Sequence, residues 1–171
     1  MKKNIEIIKG FILDANVIID LRNSDHLDLT ESLAQTVGVF VVEETREKVN
    51  GLSKTLCKSL GLSILEPTLE EILDAASFQD EVPQLAEDDA LTLAVGFKRN
   101  LNIVSNDTRV RKFSDAKNHS SHGGFFLLLF LFDKNILTKN ECLEVANDIS
   151  KTNKWMSKKV FEDLKKLLNE R

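Results

Sequence analysis

The stretch "FILDANVIID", Phe11 to Asp20, decides the fold. Three apolar residues, Phe11, Ile12 and Leu13, run into a carboxylate, Asp14, and apolar residues resume at Val17, Ile18 and Ile19. "KGFIL" (9–13) reads as a short buried strand, with a helix from Asn16 onward. An acid closing a buried strand either caps the next helix or belongs to a site.

Outward from this stretch, short apolar runs alternate with helical segments. "LDLTESLAQTV" (27–37) has helical spacing, with Leu29, Leu33 and Val37 on one face. "VFVV" (39–42) is β-branched and aromatic, a strand. "EETREKVNGLSKTLCKSLG" (43–61) is helical, broken near Gly51 and stopped at Gly61. "LSIL" (62–65) is a strand. "TLEEILDAASF" (68–78) opens with a capping box, Thr68 with Glu71. "EDDALTLAVGFKRN" (87–100) is a helix, "NIVS" (102–105) a strand, and a helical turn follows through Val110 and Phe113. Strands separated by helices predict parallel pairing in a three-layer α/β/α sandwich. Such sheets carry their sites beyond the carboxyl ends of the strands.

After residue 118 the character changes. "NHSSHGG" (118–124) reads as a loop. "GFFLLLFLFDKN", "LTKNECLEVANDIS" with a capping box from Thr138 to Glu141, and "SKKVFEDLKKLLNER" read as helices. The expected organisation is a main α/β domain over residues 1–118. A C-terminal helical extension, 119–171, packs on it.

With 27 acidic and 23 basic residues among 171, the net charge is −4. That excludes a uniformly basic nucleic-acid binder and leaves room for local patches. From Glu66 to Asp89 there are nine acidic residues and no basic one; from Lys98 to Lys117 there are six basic and two acidic. An acidic centre beside a basic flank suits a metal site that meets a polyanion. The 66–81 portion reads as a solvated helix face. Cys57 and Cys142 fit buried thiols in a reducing cytoplasm rather than metal ligands. The longest apolar run, "FFLLLFLF" (125–132), has eight residues, where a membrane span needs about 20. It is expected in the core of a soluble cytoplasmic protein with no membrane partner.

Three acids have settings that agree. Asp14 ends the first strand, Asp89 lies in the first turn of a helix, and Asp107 follows the strand "NIVS". Glu43, Glu44 and Glu47 begin a helix just past "VFVV". Singly, each fits a cap or a turn. Together they fall at one edge of one sheet. Clustered carboxylates need protons or a cation, and oxygen-only donors favour Mg²⁺ or Mn²⁺ over zinc. Such ions activate water and stabilise the leaving oxygen of a phosphodiester. A strand-end Asp can instead serve as a phosphatase nucleophile, usually with a second Asp two residues on. Asn16 stands there, against that chemistry.

"FILDANVIIDL" and "DALTLAVGFKRNLNIVSND" (89–107) resemble the two halves of a PIN domain, over roughly residues 9–115. The resemblance implies a parallel α/β/α fold and a Mg²⁺- or Mn²⁺-dependent endoribonuclease, a hydrolase of RNA phosphodiesters. Some members are toxins held by an antitoxin protein, and many relatives form homodimers. By resemblance, Asp14, Asp89 and Asp107 are catalytic metal ligands. Strict alignment on Val49 puts Lys48 in the slot of the family's Glu. A second alignment puts Glu44 there, and Glu44 is taken as the fourth acid, ahead of Glu47 and Glu43. Asn16, Ser105 and Asn106 support the acids. Asp88 is a neighbour that could substitute for Asp89, while helix register disfavours both facing inward. Arg109, Arg111 and Lys112 are candidates for the RNA backbone. Trp155 is a candidate for stacking a base or packing between the last helices. His119 and His122 read as loop bystanders. The alternative is a non-catalytic PIN-like module that binds RNA or protein.

Overall fold

The computed structural model describes residues 9–154 and 156–171. Trp155 and the first eight residues lie outside the described residues. Among the described residues, five strands form one all-parallel sheet in the order β3-β2-β1-β4-β5. The strands are β1 (Gly10–Leu13), β2 (Gly38–Val42), β3 (Leu62–Leu65), β4 (Asn102–Val104) and β5 (Ser121–His122). Between and after them come α1 (Ala15–Asn23), α2 (Leu29–Ala34), α3 (Glu43–Lys48), α4 (Lys54–Ser59), α5 (Leu69–Glu81), α6 (Glu87–Arg99) and α7 (Thr108–Ala116). The C-terminal part holds α8 (Phe126–Asp133), α9 (Lys139–Thr152) and α10 (Lys158–Asn169). The predicted three-layer α/β/α architecture is the one observed.

Period-two alternation along the buried strands builds the layers. Phe11 and Leu13 of β1 and Val104 of β4 join one core cluster, with side chains of α1, α2, α8, α9 and α10. Ile12 and Ile103 point to the opposite cluster, with α6, Val110 and Phe113 of α7 and Ala75 of α5. The apolar run at 125–132 is core, as expected. Leu127 to Leu131 are buried, and Phe11 meets Phe126 and Phe130 edge-on at centroid distances of 6.0 and 5.0 Å. No helix among the described residues is long and apolar enough to cross a membrane.

Both expected capping boxes form, at Thr68 with Glu71 and at Thr138 with Glu141. One segment departs from its reading. Residues 118–124, expected as a loop, contain β5, which extends the sheet beside β4. A two-residue strand is too short for alternation to reveal. Its carbonyl at His122 accepts the amide of Ser105 at 2.9 Å, so the short strand steadies the chain just beyond β4.

The topology places the site. From β1 the chain winds outward through β2 to β3, then crosses to β4 on β1's other side. The order reverses between β1 and β4, and the crevice at such a switch point is where open α/β sheets bind ligands. Leu13 pairs with Val104, and the Asp14 amide donates to the Val104 carbonyl at 3.0 Å. Register alone therefore sets Asp14 beside the Ser105–Asp107 turn.

Candidate metal centre

Asp14 occupies the N-cap position of α1 with extended backbone, yet its side chain closes no capping hydrogen bond. Its carboxylate is engaged elsewhere. The Ser105 hydroxyl donates to Asp14 Oδ2 at 2.6 Å and accepts the Asp107 amide at 3.1 Å. One fully buried hydroxyl thus ties the two strand-end acids together. Asn16 is exposed, and its contribution comes from the backbone: its amide and that of Ala15 favour the charge on Asp14.

α6 brings the next acids. It is buried from Asp88 to Gly96, with its first turn over the β1–β4 crevice. Asp14, Asp88 and Asp89 each present a carboxylate oxygen within 4.8 Å of the others, and all three are buried. Two unit charges at 4.8 Å repel by roughly 3–4 kcal/mol at an effective dielectric of 20. Burial raises the Asp14 carboxyl above its ordinary value, against the hydrogen bond from Ser105, and Asp88 raises it further. Asp89 is pushed up to about 7, by burial first and then by the charges of Asp14, Asp88 and Asp107.

Asp88 corrects the sequence reading. Helix register was expected to disfavour both acids facing inward, but both Asp88 and Asp89 are buried. The reason is that α6 begins between two neighbours. Asp89 sits among the strand-end acids, while Asp88 pairs with Lys48 of α3 and still lies within reach of Asp14. A buried contact between the Thr45 and Thr92 hydroxyls, 3.1 Å apart, pins α3 to α6 one turn further on.

The three glutamates of α3 separate by partner. Glu43 binds Arg46 at 2.6 Å and Lys54 at 2.8 Å, which hold its carboxyl down at about 2. Glu47 is exposed. Glu44 alone keeps a buried oxygen, Oε2, with no hydrogen-bond partner among the described residues. It lies one turn before Lys48 on the same helix and stands outside the tight group of Asp14, Asp88 and Asp89.

Asp107 also lies outside that group, although its charge is felt at Asp89. Arg109 binds it through its own amide at 2.7 Å and its guanidinium at 2.8 Å, holding the carboxyl below its ordinary range. Arg109 also donates to the Gln84 carbonyl at 3.2 Å, and Arg111 donates to the Ser105 carbonyl at 2.6 Å. Both arginines therefore brace the site's own backbone. Lys112 is exposed.

Asn106 turns away from the acids. It donates to Asp20 Oδ2 at 2.7 Å and accepts the Gly124 amide at 2.8 Å. Asn153 donates to the same carboxylate at 2.9 Å, so this half-buried junction ties the turn after β4 to α1 and to the end of α9. Replacing Asn106 by Ala leaves Asp20 and the Gly124 amide short of a partner. The expected cost is about 1–3 kcal/mol, read as a lower urea midpoint at unchanged slope. A shift smaller than the measurement error would contradict the junction's role. The two histidines of 118–124 are half-buried: His119 bonds the Leu101 carbonyl at 2.7 Å, and His122 of β5 stacks on Phe126 at a centroid distance of 3.7 Å.

The donors are all oxygen, they are buried, and one neighbouring glutamate oxygen is unsatisfied. Such a set fits a hard divalent cation, whose charge would relieve the crowding that raises Asp14 and Asp89. A parallel α/β/α sandwich with an acid cluster at its topological switch point is thus the class that fold and site define. The chain belongs to the PIN-domain family: a family model described as PIN domain matches residues 10–170. PIN domains are generally nucleases that use divalent metal ions. No curated protein matches the chain.

Proposed function

We propose that the protein is a metal-dependent endoribonuclease that hydrolyses RNA phosphodiesters. The observation that carries this reading is the convergence of Asp14, Asp88 and Asp89 within 4.8 Å at the β1–β4 switch point. Mg²⁺ or Mn²⁺ would be held by Asp14 and Asp89, with Asp107 and Glu44 completing the acidic rim and Asp88 beside them. When bound, the ion supplies the charge that activates a water and stabilises the oxygens of the cleaved ester. Ser105 fixes the orientation of Asp14 through its 2.6 Å bond. Lys112, exposed on α7 after the Asp107 turn, is a basic residue free to meet a phosphate in solvent. Arg109 and Arg111 serve it by exchanging their present carbonyl or carboxylate partners for the RNA backbone.

The test is cleavage of labelled single-stranded RNA and DNA of one sequence with Mn²⁺, Mg²⁺ or EDTA. The expected result is metal-dependent cutting of the RNA and none in EDTA. Cutting of the DNA alone would replace RNA by DNA as the substrate. Metal binding without cleavage of either would favour a non-catalytic PIN-like module that binds RNA or protein. The ion pairs Lys48–Asp88 and Arg109–Asp107 favour that second reading, because they neutralise two acids without a metal.

The family resemblance extends this proposal to the cell: a cytoplasmic toxin restrained by an antitoxin protein and acting as a homodimer. Growth arrest on expression, relieved by the product of an adjoining reading frame, is the expected outcome. Unimpaired growth with an active enzyme would remove the toxin role. A monomeric mass by sedimentation would remove the dimer.

A further inference from the structure

Lys48 is a cation placed at the edge of an acid cluster that otherwise calls for one. Its ammonium pairs with Asp88, which is only 5% exposed and is itself one of the three clustered carboxylates. Helix packing carries the lysine there, with its side chain half exposed. α3 is pinned to α6 by the Thr45–Thr92 contact, and Lys48 lies three residues beyond Thr45, on the same face of the helix. Glu44, one turn earlier on that face, keeps its unsatisfied oxygen. Asp107 has its own counter-charge in Arg109. Lys48 offsets one of the three negative charges of Asp14, Asp88 and Asp89, and a divalent ion offsets the other two.

We propose that Lys48 is a resident counter-cation of the acid cluster, which competes with metal for its carboxylates. The inference rests on the metal-site reading above and adds which residue sets its affinity. The lysine stabilises the apo cluster, so a metal must bind against its charge. Removing that charge strengthens metal binding, because an ion then meets a more negative site.

The experiment is Mn²⁺ titration by calorimetry at pH 8, with folding of each variant checked by circular dichroism. Wild type is compared with Lys48→Gln, which keeps the length and drops the charge, and with Lys48→Arg, which keeps the charge. The expected result is Mn²⁺ binding that is about tenfold tighter in Lys48→Gln than in the wild type, and wild-type affinity in Lys48→Arg. Binding to Lys48→Gln alone would support the same competition in its strongest form. Equal or weaker affinity in Lys48→Gln overturns the proposal while leaving the metal site standing. No binding to any of the three proteins overturns both.

Discussion

Asp14→Asn lowers divalent-dependent cleavage by on the order of 10²–10³ while the protein stays folded. The loss follows from geometry. Asp14 is 1% exposed, within 4.8 Å of two other carboxylates, and held by Ser105. A neutral amide keeps an acceptor for the Ser105 hydroxyl but surrenders the charge that would hold the cation. The same substitution relieves repulsion, so the metal-free variant is expected to unfold no earlier in urea than wild type at pH 8. Lost activity with preserved stability separates this residue from an ordinary buried one, whose removal costs stability first. Undiminished cleavage by the folded variant would remove Asp14 from the site.

The second large effect is on the pH dependence of the metal-free protein. The Asp89 carboxyl stands at about 7 in the fold, against 3.8 ordinarily. A raised carboxyl means that the folded state holds the proton more tightly. Its stabilising contribution is complete below about pH 4 and is lost as pH rises toward 7. The loss reaches as much as about 4 kcal/mol, with Asp14 acting in the same direction. Glu43 and Glu71 have the opposite sign. Arg46 and Lys54 hold Glu43, and Arg99 holds Glu71, at about 2, so their contribution is lost as pH falls from 4.5. Stability in EDTA is therefore expected to peak near pH 5 and decline toward pH 8. Asp89→Asn should flatten the alkaline decline, and saturating Mn²⁺ should do the same by displacing the proton. Urea midpoints at pH 5 and 8 for both proteins check this. A wild-type midpoint that rises between pH 5 and 8 in EDTA would contradict it.

The strands around the site were legible because each is an apolar run closed by a polar turn. β3 has the bounds read for it, Leu62 to Leu65, and the alternation through Phe11, Ile12 and Leu13 divides between two core clusters. β5 was not legible, since Ser121 and His122 are polar and owe their place in the sheet to pairing with β4. Asp14 and Asp89 were expected together from their positions at strand end and helix start, and the structure brings them within one cluster. Asp107 and Glu44 are placed at the same edge but outside that cluster.

Asp88 was misjudged because helix periodicity describes one apolar face against one neighbour. The first turn of α6 has neighbours on two sides, and Lys48 provides the charge that makes a second buried acid tolerable. A signal existed in the sequence: one of the two alignments puts Lys48 where the family pattern has an acid, and an additional acid, Asp88, stands beside Asp89. Asn106 was legible as important but not in its role, because its partner Asp20 is 86 residues distant and only the fold brings them together.

Anomalous diffraction from crystals grown with Mn²⁺ tests most directly whether the acids at the β1–β4 switch point hold a divalent cation. The expected result is a manganese peak about 2.0–2.3 Å from carboxylate oxygens of Asp14 and Asp89. Well-ordered acids with no peak among them, and manganese bound only elsewhere on the surface, would contradict it.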